Sequence, residues 1–175
     1  MAYLVRKVSR GKWPDEKQAK DDYAGDTISD LRTTKNTLSL WMIESEEELD
    51  SAILALSASS KSETIEAIDV AWFPIEVIDT YGITISKDTL GDTVVSDLAE
   101  THRDVVNVTY KTLGDIADII TVAMSEQNRH KKVTLGTVKK GLAKAYKDKR
   151  ISEEKCKPEL LEKIVAAYNT YKDSI

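Results

Sequence analysis

Four cations, Arg6, Arg10, Arg32 and Lys35, are the residues whose types most directly suggest chemistry. A guanidinium presents planar N–H pairs that match phosphate or carboxylate oxygens, and a lysine adds a point charge. The run Asp30-Leu31-Arg32-Thr33-Thr34-Lys35-Asn36 supplies two hydroxyls and an amide just ahead of a strand signal. Brought to one end of a sheet with Lys7 and Lys12, these groups would form an anion site. A small enzyme or nucleotide-binding protein would use such a site as a phosphate clamp, with a remote Glu for catalysis. The plain alternative is a solvated loop.

A second cationic set lies later in the chain. Lys139, Lys140, Lys144 and Lys147 would line one side of a helix, within a stretch from 131 to 150 that holds 8 Lys/Arg. Lysines without Arg, Asn or Gln cannot read base edges, and no aromatic residues interleave with them as stacking platforms. Nucleic acid would be held weakly, without sequence preference and in a salt-sensitive way. This reading ranks below protein binding.

Nucleophile and metal chemistry find less support. Cys156 sits between Lys155 and Lys157 ahead of Pro158, a setting that can lower a thiol pKa. It has no identifiable base, so a cysteine without a chemical role is the simpler reading. His102 reads as a hydrogen-bonded residue at the edge of a core, and His130 as an exposed loop residue. There is no Walker loop, dinucleotide glycine pattern, His-Glu-x-x-His or calcium loop. No cofactor and no metal are expected, and a catalytic role is less favoured than a binding one.

The wider chain sets the bounds. At 175 residues, 41% hydrophobic and 31% charged, it is long enough and apolar enough to bury a core. The net charge of −5 is unevenly spread. Residues 41–126 carry 4 Lys/Arg against 18 Asp/Glu, and residues 127–175 carry 13 against 6. The basic part either folds against the acidic middle or faces an acidic partner. One cysteine, no apolar leader and no long uncharged apolar run suggest a cytoplasmic protein that does not enter a membrane.

The elements that must position these groups follow from periodicity. Alternation predicts strands over 3–8, 37–43 and 66–73, with a brief extended piece at 83–85. Ser45 and Glu48 fit a capping box that opens a small-faced helix ending near Ser57. Short helices are expected over 16–23 and 75–80, the latter stopped by Gly82. The strongest periodic signal runs from 94 to 127, where Leu98, His102, Val105, Tyr110, Leu113, Ile116, Ile120 and Met124 recur at steps of three and four. It predicts one long helix, or two meeting at Gly114, with Asp115 and Asp118 on the outer face. A polar loop at 127–132 and helices over 137–149 and from Pro158 complete the chain.

These elements make an α+β protein. A small mixed or antiparallel sheet with short helices occupies 1–90. A long helix and a helical hairpin occupy 91–175 and pack on the first part. The favoured function is a non-catalytic interaction or regulatory role through helical surfaces, with self-association or a protein partner. Tyr110 and Leu113 on the helical stripe, and Trp13 beside Pro14, are the candidate interface residues, since aromatic side chains anchor interfaces. Trp41 and Trp72 are expected in the core.

Overall fold

The computed structural model describes residues 1–175, with the side chain of Lys20 left aside. The protein is an α+β fold on a six-stranded antiparallel sheet. The strands are β1 (Tyr3–Val8), β2 (Leu38–Ile43), β3 (Ile68–Pro74), β4 (Ile85–Ser86), β5 (His102–Val105) and β6 (His130–Val133), in the order β4-β5-β2-β1-β3-β6. The helices are α1 (Gly25–Asp30), α2 (Leu49–Ser57), α3 (Glu76–Thr80), α4 (Tyr110–Ser125), α5 (Leu135–Lys147) and α6 (Pro158–Tyr171).

Both faces of the sheet are covered. Tyr3, Val5, Trp41, Ile43, Val70 and Trp72 pack under α2, α5 and α6. Leu4, Val8, Leu38, Leu40, Ala71 and Phe73 pack under α1, α3 and α4. This explains the imperfect alternation of the central strands: with apolar layers on both sides, the runs 3–5, 40–41 and 70–73 are buried at consecutive positions.

The 94–127 segment differs from its expected helix. Residues Ser96–Thr101 form a 3-10 turn, β5 pairs with β2 through His102↔Trp41 and Leu38↔Val105, and only Tyr110–Ser125 is α-helical. Asn107 has φ of 56° and breaks the chain direction, and Thr109 then caps α4 by accepting from the Thr112 N–H. Apolar residues spaced three and four apart read as helix, yet four residues of strand satisfy the same pattern when β2 and β4 offer partners. Gly114 lies buried inside α4 without ending it. Asp115 and Asp118 are buried too, because residues 17–23 cover that side: Tyr23 donates to Asp118 at 3.0 Å and Lys17 approaches it at 3.3 Å.

Smaller corrections follow the same logic. The expected loop at 127–132 contains β6, an edge strand whose exposed Lys131 and Lys132 discourage pairing with another chain. His130 is therefore on a strand, facing Asp69 at 3.1 Å. In place of a helix over 16–23 there is a short turn at Lys20–Asp22, followed by α1. Ser45 makes no side-chain cap, and Glu48 instead accepts from the Glu44 N–H at 2.9 Å. β5 and β6, from the later half of the sequence, are strands of the same sheet as β1 to β3.

The loop after β4 crosses the edge of the sheet and presses on Trp41. Thr89 ties it down, donating its hydroxyl to Asp104 and facing His102 Nδ1 with its carbonyl at 3.1 Å. A Cβ at Gly91 would overlap the Trp41 ring and lie 2.9 Å from His102 Cβ. Gly91→Ala is expected to cost ~1–3 kcal/mol by overpacking, on the order of 3–10 °C of Tm at this size. Thermal unfolding of the variant measures it, and an unchanged Tm would show that the loop does not bear on the ring.

Candidate binding site

α5 begins at Thr134, whose hydroxyl accepts from the Thr137 N–H at 3.2 Å. Val138, Leu142 and Ala145 recur at helical spacing and face the core. Thr137, Lys140, Gly141 and Lys144 recur on another face and wall a groove of about 690 Å³ against α2. Ile53 and Leu54 of α2 and Val138 of α5 make its surface apolar, and Tyr171 and Ile175 close one side. Gly141 keeps this wall low, since a Cβ there would meet only Leu54 Cδ1 at 3.8 Å. A second groove of about 350 Å³ lies across Tyr171, between Ile65, Leu135, Lys139 and Ala167. Leu135 on the second groove is 39% exposed, a large aliphatic side chain left in water.

The charges around this surface are divided in an informative way. Four cations of the basic end pair with the acidic middle: Arg129 meets Glu46 at 3.1 Å, Lys131 meets Asp50 at 2.9 Å, Arg150 meets Asp97 at 2.6 Å and Lys157 meets Glu63 at 2.7 Å. Lys147 donates to the Ile175 carbonyl oxygen at 2.6 Å. Lys139, Lys140 and Lys144 have no such partner among the described residues. Asp50, the one acid lining the large groove, is the residue paired with Lys131. The groove is therefore apolar inside and cationic at its rim.

The earlier cationic set is arranged differently. β1 and β2 are paired only from Tyr3↔Ile43 to Val5↔Trp41, and the Arg6 side chain enters where they part. It donates to the Ser39 carbonyl at 2.6 Å and the Asp30 carbonyl at 3.3 Å, with Nε buried and without a partner. Burial lowers its pKa to about 10, against the pull of Asp30, so it remains a cation at neutral pH. Arg10 pairs with Asp15 at 2.6 Å and donates to the Trp13 carbonyl. Arg32 and Lys35 lie on the surface. None of these four lines either groove.

The candidate interface residues separate. Trp13 is buried, 5% exposed, with its indole N–H donated to Asp30 at 2.8 Å. Tyr110 is 90% exposed at the start of α4, and Leu113 is half-buried against the core. Cys156 moves away from reactivity: burial and then Glu153 raise its thiol pKa, while Lys157 is engaged by Glu63. Among the described residues, no three His, Cys, Asp or Glu are placed to hold a metal ion. No helix is long and apolar enough to cross a membrane.

No protein-family model matches the chain, and no curated protein or solved structure matches it either. What the groove can bind must be read from its own geometry. Its floor, Ile53, Leu54, Tyr171 and Ile175, was not singled out by sequence. The available signal was Gly136 and Gly141 within one amphipathic helix, a cost in helix propensity that close approach to a neighbour can justify.

The Asp30 carboxylate is a testable structural centre. Burial raises its pKa, but hydrogen bonds from the Ser9 N–H at 2.7 Å and the Trp13 indole outweigh this and hold it below the ordinary value. With the folded pKa depressed, its stabilisation is full above the unfolded value and is lost as pH falls through the folded one. Asp30→Asn should therefore lower stability by ~1 kcal/mol at pH 7. Denaturant unfolding between pH 7 and 3 should show its deficit narrowing below about pH 4.

Proposed function

We propose that the chain is a protein-interaction module, binding rather than catalytic, which docks a partner protein in the groove between α2 and α5. One observation carries this reading: Lys140 and Lys144, which make no ion pair among the described residues, stand on the rim of an apolar concavity of about 690 Å³. Apolar concavities edged by a few placed polar groups are where partners are bound. Surfaces of this kind gain specificity and association rate from rim charge and affinity from apolar burial. An anion site at residues 6–35 has less behind it, because Arg6 and Arg10 are held by internal acceptors. Nucleic acid is less favoured because Tyr171 is the one aromatic residue lining the groove, whereas a strand is held by successive bases stacked on several aromatic rings.

The test is photocrosslinking from position 137, on the groove wall, in an extract of the source cells. Gly141→Gln serves as the control: it raises helix propensity and extends a side chain into the groove without a steric clash at Cβ. One identified protein should crosslink to the parent chain and fall at least tenfold in Gly141→Gln at unchanged Tm. An unchanged crosslinking pattern overturns the reading. Crosslinks only between copies of this chain would replace the foreign partner with self-association.

A further inference from the structure

Resting on that reading, we infer that the docked element is an acidic amphipathic helix, with aliphatic side chains at positions i, i+3 or i+4, and i+7 and Asp or Glu flanking them. The shape of the groove argues for a helix. Its two long walls are themselves helices, and the space between two helices is complemented by a third at interaxial distances of about 8–10 Å. The wall from Gly136 to Lys144 spans eight steps, or about 12 Å at 1.5 Å per residue, which matches two turns of an incoming helix. Two turns present three or four side chains on one face.

The chemistry of the occupant follows from what lines the space. Ile53, Leu54 and Val138 favour aliphatic side chains. The single acid is already neutralised by Lys131, so the free rim charge is that of Lys140 and Lys144. A basic helix would meet like charge on this rim, and a neutral one would leave both ammonium groups unmatched. Residues after α6 show the preference on a small scale: the half-buried Ile175 lies against the groove while its carbonyl oxygen accepts from Lys147. An aliphatic side chain beside an oxygen that a lysine reaches is the same pairing, supplied by the chain itself. Ile175 thus borders the space the helix would take.

Selection from a displayed library of random 14-residue peptides, on the full chain, tests this directly. Enriched peptides are expected to carry aliphatics at helical spacing with net negative charge. A synthetic representative should bind at least tenfold more weakly to Lys140→Glu/Lys144→Glu and more weakly at high salt. Enrichment of basic or neutral peptides, of alternating spacing, or of nothing beyond what Gly141→Gln retains would overturn the inference. So would a single-stranded RNA that binds more tightly than any peptide and is lost in the same lysine variant. If the crosslinked partner is found but no acidic helix is selected, the partner's chemistry is wrong and the interaction reading stands. If both fail, the interaction reading falls with it.

Discussion

Burial of the three central strands on both faces is the constraint from which the architecture follows. β1, β2 and β3 carry large apolar residues at consecutive positions, so neither face can be left to water. Trp41 and Trp72 require one helical layer and Leu4, Leu40 and Phe73 the other. An antiparallel sheet with one apolar face can remain solvated on the other side, but this one cannot. The chain therefore returns after its early strands to supply α4 on one side and the α5–α6 hairpin on the opposite side. β5 and β6 extend the sheet in passing.

The two layers are held by different means. Beneath α4 the segment at 17–23 closes the outside, and buried Asp118 is reached by Tyr23 and Lys17. A carboxylate so placed is tolerable only with such partners. The hairpin layer is instead bordered by exposed ion pairs between the acidic middle and the basic end. Pairs of this exposure add little stability each, but they determine which cations are left over. Three lysines on α5 have no partner of this kind, and two of them meet the open groove. Part of the charge polarity along the sequence thus cancels internally, and two of the cations outside these pairs edge the groove.

The residues that looked most chemical have largely structural places. Arg6 supplies hydrogen bonds where two strands separate, standing in for ladder bonds that the backbone no longer makes. Trp13 and Asp30 lock the first loop to α1. His102 lies at a sheet edge between Trp41, Asp104 and the Thr89 strap. Arg6 is held by backbone carbonyls and Trp13 by the Asp30 carboxylate, while His102 takes the hydrogen-bonded place at the core edge that its spacing suggests.

Read alone, the sequence determined the α+β class, the first three strands, the helical hairpin whose second helix Pro158 opens, and the apolar stripe of α4. These follow from local period, from a cap or from proline, and such signals act within one or two turns of chain. It also showed that the basic and acidic parts are segregated. Tertiary structure alone decided that 102–105 is a strand and not a helical turn, because a short apolar pattern is satisfied by either until β2 provides hydrogen-bond partners. It decided that 130–133 joins the sheet, through pairing with β3. It decided which lysines are paired, since the partners of Arg129, Lys131 and Lys157 lie more than 80 residues away. And it made the groove, because a concavity between α2 and α5 is a relation between two surfaces that neither helix carries in its own sequence.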